Sequence, residues 1–234
     1  MVVGMILAAG SGSRFGTEMP KQFLPIENKP VLQYVVEAFL KANCFDSIIL
    51  VLSRDFFVEG ERIIKNIGSV APSIFICEGG KSRQDSVYNG TLKAIEINGG
   101  NYDNLKIVSH CGARPAIPIE IILENLKVLT PSKCVNTVGK LFDTLIYETN
   151  KNEFEFIDRE KTFAVLTPQS FFAKDYCDAY EVAKNKSLEY TCVCSLMTAN
   201  GVPMETVISE YPIKKITVKS DISSVMIDLK YLGV

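Results

Sequence analysis

Leu7-Ala8-Ala9-Gly10-Ser11-Gly12-Ser13-Arg14-Phe15-Gly16, followed by Pro20-Lys21-Gln22, is the stretch on which the reading of this chain turns. The apolar run from Val2 to Leu7 precedes it and reads as a buried first strand. Gly10, Gly12 and Gly16 leave backbone N–H groups uncovered and able to approach an anion. Arg14 and Lys21 follow within a few residues, so the loop reads as an anion cradle with its own cations.

Three glycine-rich loops compete for this string. The dinucleotide fingerprint G-x-G-x-x-G fails because Gly10, Gly12 and Gly16 are spaced one residue too long, and it leaves Arg14 and Lys21 unexplained. The P-loop fails because Thr17 stands where it needs a lysine. The nucleotidyltransferase loop A-A-G-x-G-x-R-x-G…P-K-Q resembles the string at every position. A plain Gly/Ser turn that binds nothing is the competing reading, and the two cations at this spacing argue against it.

At 234 residues with 47% hydrophobic content, the chain suits one α/β domain with a sizeable core. A net charge of −2 gives no footprint for nucleic acid, so the cations that matter are local. Seven cysteines at irregular spacing, no secretory leader pattern and no bilayer-length apolar run lead us to expect a reduced, cytoplasmic protein that does not enter a membrane.

Apolar runs alternate with amphipathic segments. Strands are expected at 2–8, 47–52, 73–77 and 106–109, and helices at 31–42, 57–67, 84–98, 118–128 and 173–184. The chain should close with strand-like Ile216–Val218 and helical Ile222–Tyr231. This rhythm predicts a doubly wound, mostly parallel sheet of Rossmann-like α/β type. It breaks between about Thr137 and Phe163, where short β-like pieces flank Thr149-Asn150-Lys151-Asn152. We read 137–163 as a hairpin arm projecting from a single domain, 1–234. Ligands of such sheets bind outside the carboxyl ends of the strands, so the loops at Gly10, Gly79 and His110 should face one crevice.

Two further strings carry chemistry. In Gly79-Gly80-Lys81-Ser82-Arg83-Gln84-Asp85-Ser86, the double glycine admits a flat ligand and Ser86 lies in the first turn of a helix. An ordinary turn with a solvated Arg83 competes evenly with that reading. In Ser109-His110-Cys111-Gly112-Ala113-Arg114-Pro115, the only histidine is expected to orient the loop. Arg114 suits an anionic substrate. Asp143-Thr144, Thr167-Pro168-Gln169 and Lys214-Lys215-Ile216-Thr217 follow in order along the chain.

Together these strings resemble the cytidylyltransferases that act on polyol phosphates, from Met5 to about Leu229. The resemblance implies CTP as donor, Mg²⁺ on its triphosphate, a polyol phosphate acceptor and a homodimer whose arm reaches the partner's site. It implies catalytic roles for Arg14, Lys21 and Lys215 around the triphosphate. Ala8, Ala9, Gly10, Ser11, Gly12, Gly80, Arg83, Ser86 and Gly112 would line the nucleotide. Cys111, Arg114, Asp143, Arg159, Thr167 and Thr191 would meet the acceptor. The product expected first is CDP-methylerythritol, for isoprenoid synthesis. CDP-ribitol for a cell-wall or capsular polymer is the alternative.

The chain departs from the pattern at two places. Cys111 stands where the family's H-D-x-x-R-P carries aspartate, and Cys192 where T-D-x-A does. A thiol is a poor ligand for hard Mg²⁺, so no residue could be assigned to the metal. Weakened turnover, a retuned acceptor pocket and a CTP-binding homologue without turnover all follow as readings. A soft-metal site at Cys111, Cys192 and Cys194 has only the weak support of C-x-C plus a distant cysteine.

Overall fold

The computed structural model describes residues 1–10 and 19–234. Seven strands form one sheet in the order β11-β7-β10-β6-β1-β4-β5. In chain order they are β1 (Val2–Ala8), β4 (Ser47–Leu52), β5 (Ser73–Glu78), β6 (Lys106–Cys111), β7 (Cys134–Lys140), β10 (Phe163–Phe172) and β11 (Met204–Ser209). Two-residue strands β2 (Pro25–Ile26) and β3 (Lys29–Pro30) pair with each other, as do β8 (Leu145–Asn150) and β9 (Glu153–Ile157). The helices are α1 (Val31–Lys41), α2 (Phe57–Ile67), α3 (Arg83–Ile97), α4 (Ile119–Val128), α5 (Ala173–Asn185), α6 (Val193–Ala199) and α7 (Asp221–Tyr231).

Alternation along β1 explains the double winding. Val3, Met5 and Leu7 pack towards α3, α5 and α6, whereas Ile6 and Ala8 pack towards α1, α2 and α4. Both faces of β1 and β4 are therefore buried, as a parallel sheet covered by helices requires. Gly4 lets α1 approach: a Cβ there would lie 2.7 Å from the Phe39 ring. Among the described strands of this sheet, β10 alone runs antiparallel to its neighbours, β6 and β7.

The sequence reading missed part of this sheet. Residues 137–140 and Phe163 belong to β7 and β10, so only the β8–β9 hairpin leaves it. Strand β7 is buried but carries Asn136 and Thr137, which look like loop residues. Both are satisfied inside: the Gln169 amide donates to Asn136 Oδ1 at 2.8 Å, and the Asn125 amide donates to Thr137 Oγ1 at 2.9 Å. Residues 216–218 are not a strand. Ile216 N–H donates to the Ala113 carbonyl at 2.9 Å, and the N–H groups of Thr217 and Val218 both donate to Asp221 Oδ2. That turn opens α7 in place of a ladder.

Candidate active site

Three loops meet beyond the carboxyl ends of β1, β5 and β6, as the topology of an open α/β sheet favours. They surround a cleft of about 720 Å³. Ala8, Ala9, Gly10 and Lys21 line it from the first loop, Gly80 to Arg83 and Ser86 from the second, Cys111 and Ala113 from the third. Lys215 and Thr217 close it from the segment before α7.

The first loop is fixed by Gln22, a buried amide beside Lys21. Its Nε2 donates to the carbonyls of Ala8 at 2.7 Å and Gly10 at 3.0 Å. Arg14, Ser11 and Gly12, assigned from the sequence, lie outside the described residues.

The second loop is held from within. Ser82 Oγ accepts from Asp85 N–H, and Asp85 Oδ2 accepts from Ser82 N–H, each at 3.1 Å, which caps α3 reciprocally. A Cβ on Gly80 would lie 2.2 Å from Asp85 Cβ, so only glycine fits that approach. Ser86 Oγ donates to the Ser82 carbonyl at 2.9 Å and accepts from Gly80 N–H at 3.0 Å. One lone pair of the Ser86 hydroxyl remains for a donor on a ligand.

In the third loop, His110 is fully buried and its Nε2 lies 3.0 Å from the Arg114 carbonyl. A carbonyl only accepts, so the proton sits on Nε2 and the ring ties the loop together. Burial holds its pKa down to about 3, so the ring stays neutral. Arg114 is anchored through Nη1 to the Ile213 carbonyl. Gly112 sits behind the cleft: its N–H donates to the Leu7 carbonyl at 2.9 Å, and a Cβ there would lie 2.9 Å from Ala8 Cβ. Its need for glycine comes from packing against β1.

A second recess, about 240 Å³, adjoins the cleft. Arg114, Thr167, Gln169, Thr191 and Cys192 line it, and Arg83, Cys111 and Lys215 line both cavities. The register of β10 against β7 shifts between Val165 and Gln169. Within that irregular stretch, Thr167 Oγ1 accepts from Cys111 N–H at 3.4 Å. Burial alone would raise the Cys111 thiol, but Lys215 and Arg83, then the Ala113 amide and Arg114, outweigh it and hold the thiol below its ordinary pKa. The boundary between the cavities is thus strongly cationic.

No aspartate or glutamate is among the described residues lining either cavity, and among the described residues no three His, Cys, Asp or Glu side chains gather for a metal. Hard Mg²⁺ takes oxygen ligands, often carboxylates, so these linings do not fit a metal held by the protein. Cys192 instead caps α6, its sulfur accepting from Ser195 N–H at 3.3 Å. Cys194 is buried against the Val135 carbonyl. The three cysteines do not converge.

Asp143 and Arg159 are not brought into either cavity. Asp143 is exposed. Arg159 Nη1 donates to the Phe142 carbonyl at 2.8 Å, in a separate recess at the root of the hairpin with Lys140 and Glu160. Lys81, Ser82, Thr217 and Gln169 line the cavities without having been assigned from the sequence. Each sits inside a string already singled out, and only the folded loops select which of its side chains turn inward.

The family described as IspD, 2-C-methyl-D-erythritol 4-phosphate cytidylyltransferase, matches residues 2–230. A ribitol-5-phosphate cytidylyltransferase of Lactiplantibacillus plantarum is 32% identical over 201 residues, 84% of this chain and 85% of that protein. Among solved structures, the 4-diphosphocytidyl-2C-methyl-D-erythritol synthase of Anaerococcus prevotii superposes with a TM-score of 0.82 at 24% identity, covering 98% of each chain. The 2-C-methyl-D-erythritol 4-phosphate cytidylyltransferase of Thermus thermophilus gives 0.71 at 24% identity, covering 96% of this chain and 98% of that one. These two likenesses establish the fold.

Proposed function

The chain belongs to the 2-C-methyl-D-erythritol 4-phosphate cytidylyltransferase family, and we propose that it transfers CMP from CTP to a polyol phosphate in the two joined cavities. The observation that carries this reading is that Arg83, Cys111 and Lys215 line both. The triphosphate occupies the larger cleft over Gly10 and Lys21. Cytosine lies against Gly80 and Ser86, whose spare lone pair accepts from the exocyclic amine. The acceptor phosphate enters the recess, drawn by Arg114 and Lys215, and its hydroxyls meet Thr167, Gln169 and Thr191.

The reaction is one displacement. An acceptor phosphate oxygen attacks the α-phosphorus, the bond to the β-phosphate oxygen breaks, and pyrophosphate leaves. A phosphate monoester is already ionised near neutral pH, so no general base is needed. Lys21, Arg83 and Lys215 stabilise the charge that develops, through position and electrostatics. A divalent cation enters as part of the substrate, on the triphosphate.

For the acceptor, methylerythritol phosphate follows from the family that matches. Ribitol phosphate is the second reading, favoured by the Lactiplantibacillus plantarum relative. We also propose a homodimer. The hairpin puts Ile146, Phe154 and Phe156 at 53%, 56% and 79% exposure, with Ile146 opposite Phe156 in register. A second copy would cover this face and bring Arg159 towards the partner's recess. Among the described residues no helix is long and apolar enough to cross a membrane.

Incubation with CTP, Mg²⁺ and a panel of polyol phosphates should release pyrophosphate. CTP binding without release from any member would leave a nucleotide-binding homologue.

A further inference from the structure

The loop that receives the nucleotide and the loop that walls the acceptor recess are far apart in sequence, yet one side chain joins them across 104 and 106 residues. Gln84 lies between Arg83 and Asp85, is 9% exposed, and points away from the cleft. Its Nε2 donates to the Leu188 carbonyl at 3.0 Å, and its Oε1 accepts from Tyr190 N–H at 3.0 Å. Residues 188–190 lead directly into Thr191 and Cys192, which line the recess. The amide therefore uses one donor and one acceptor on the same short stretch of backbone.

The two partners depend on this clamp unequally. The nucleotide loop has the Ser82–Asp85 cap and the Ser86 hydroxyl bonds. Helix α5 adds two more ties: Tyr176 OH donates to the Gln84 carbonyl at 2.9 Å, and Tyr180 OH to Asp85 Oδ1 at 2.7 Å. Tyr180 also stacks on Tyr88 of α3, with centroids 3.9 Å apart. Residues 188–190 follow the end of α5, where Leu188 N–H donates to the Ala183 carbonyl at 2.9 Å. From the Leu188 carbonyl to Tyr190 N–H, the backbone is fastened to Gln84.

We infer that Gln84 is a positioning residue that hangs the acceptor wall, Thr191 and Cys192, on the nucleotide loop. The reaction needs the acceptor oxygen placed within a few tenths of an ångström of the α-phosphorus, and the clamp references one ligand's wall to the other's. The clamp deepens the reading above and rests on it for the identity of the two ligands, but not for its own existence.

Hydrogen exchange on the full chain without ligand tests the clamp directly. Gln84→Met removes both bonds at similar length. Exchange over 187–191 should rise by about tenfold while 79–83 stays as in the wild type. Gln84→Glu keeps an acceptor for Tyr190 N–H and should retain protection there. Unchanged exchange over 187–191 in Gln84→Met, or equal loosening of both loops, would overturn the inference. In turnover, Gln84→Met should raise the KM for ribitol 5-phosphate or methylerythritol 4-phosphate by about tenfold and leave the KM for CTP unchanged. A rise confined to CTP would also overturn it. Absence of turnover in the wild type would count against the proposed reaction alone, with the exchange data still deciding the clamp.

Discussion

The loop at Gly80–Ser86 is held by its own cap and hydroxyl bonds, whereas the wall at Thr191–Cys192, beyond its Cys192–Ser195 cap, is tied at both ends by the distant side chains Gln84 and Gln169. The same contrast runs through the chemistry. On the side proposed to take the nucleotide, the glycines, Lys21, Arg83 and Ser86 match the pattern that the resemblance implies for the phosphate and base loops. On the acceptor side two positions that carry aspartate in that pattern are cysteines, one buried among cations and one capping a helix. On the proposed reading, the donor loop can stay constant while an acceptor wall tied to distant side chains is retuned by single substitutions. That is a physical reason for one fold to serve methylerythritol and ribitol phosphates.

The largest expected effect breaks the nucleotide side. Lys21→Ala should lower kcat by about 10²- to 10³-fold, the scale of losing one charged contact to a transition state. Steady-state kinetics checks it, and a full rate would remove Lys21 from the mechanism. The acceptor side should respond differently. Arg114→Met should raise the acceptor KM by about 10- to 100-fold and leave the KM for CTP unchanged. Equal rises in both would erase the distinction between the cavities.

Cys111→Asp sharpens the comparison at the shared boundary. It supplies a carboxylate where the described lining has none, so the complex with CTP should hold Mn²⁺ more tightly than the wild-type complex does, read by electron paramagnetic resonance. It also places an anion where two phosphates meet, so the acceptor KM should rise by about tenfold unless the metal neutralises it. No gain in Mn²⁺ binding would place Cys111 outside reach of the metal.

The smallest effect concerns stability. His110 has a folded pKa of about 3 against an ordinary 6.5. Its depressed value means that the unfolded chain takes up the proton first, so stability present above the ordinary value is lost as pH falls towards the folded one. Between pH 8 and pH 5 this linkage amounts to about 2 kcal/mol. Urea melts of His110→Gln, which keeps a donor for the Arg114 carbonyl, should fall by about that much less than the wild type.

Much of the donor half is legible in the sequence. The runs in β1 and β4 are apolar on both faces, and the helix expected from Gln84 begins at Arg83. The acceptor half hides better. Strand β7 carries Asn136 and Thr137, polar residues that only their buried partners Gln169 and Asn125 make tolerable in a core. Gln169 itself looks like part of a short motif, yet its Oε1 accepts from Val193 N–H at 3.2 Å and fixes the start of α6. Gly112 matches a binding pattern but answers to packing against Ala8. Asp143 and Arg159 lie outside both cavities of one chain, Asp143 exposed and Arg159 in the recess at the root of the hairpin, and a role for either in a second copy's site belongs to the proposed dimer.

The central claim is a single displacement at a boundary lined by cations, in which Cys111 takes no covalent part. Its sharpest test is stereochemical. With one diastereomer of CTPαS, whose α-phosphorus carries a sulfur, turnover should give a CDP-polyol of inverted configuration at that phosphorus. Retention would mean two displacements through an enzyme-bound nucleotidyl group, and would contradict the account.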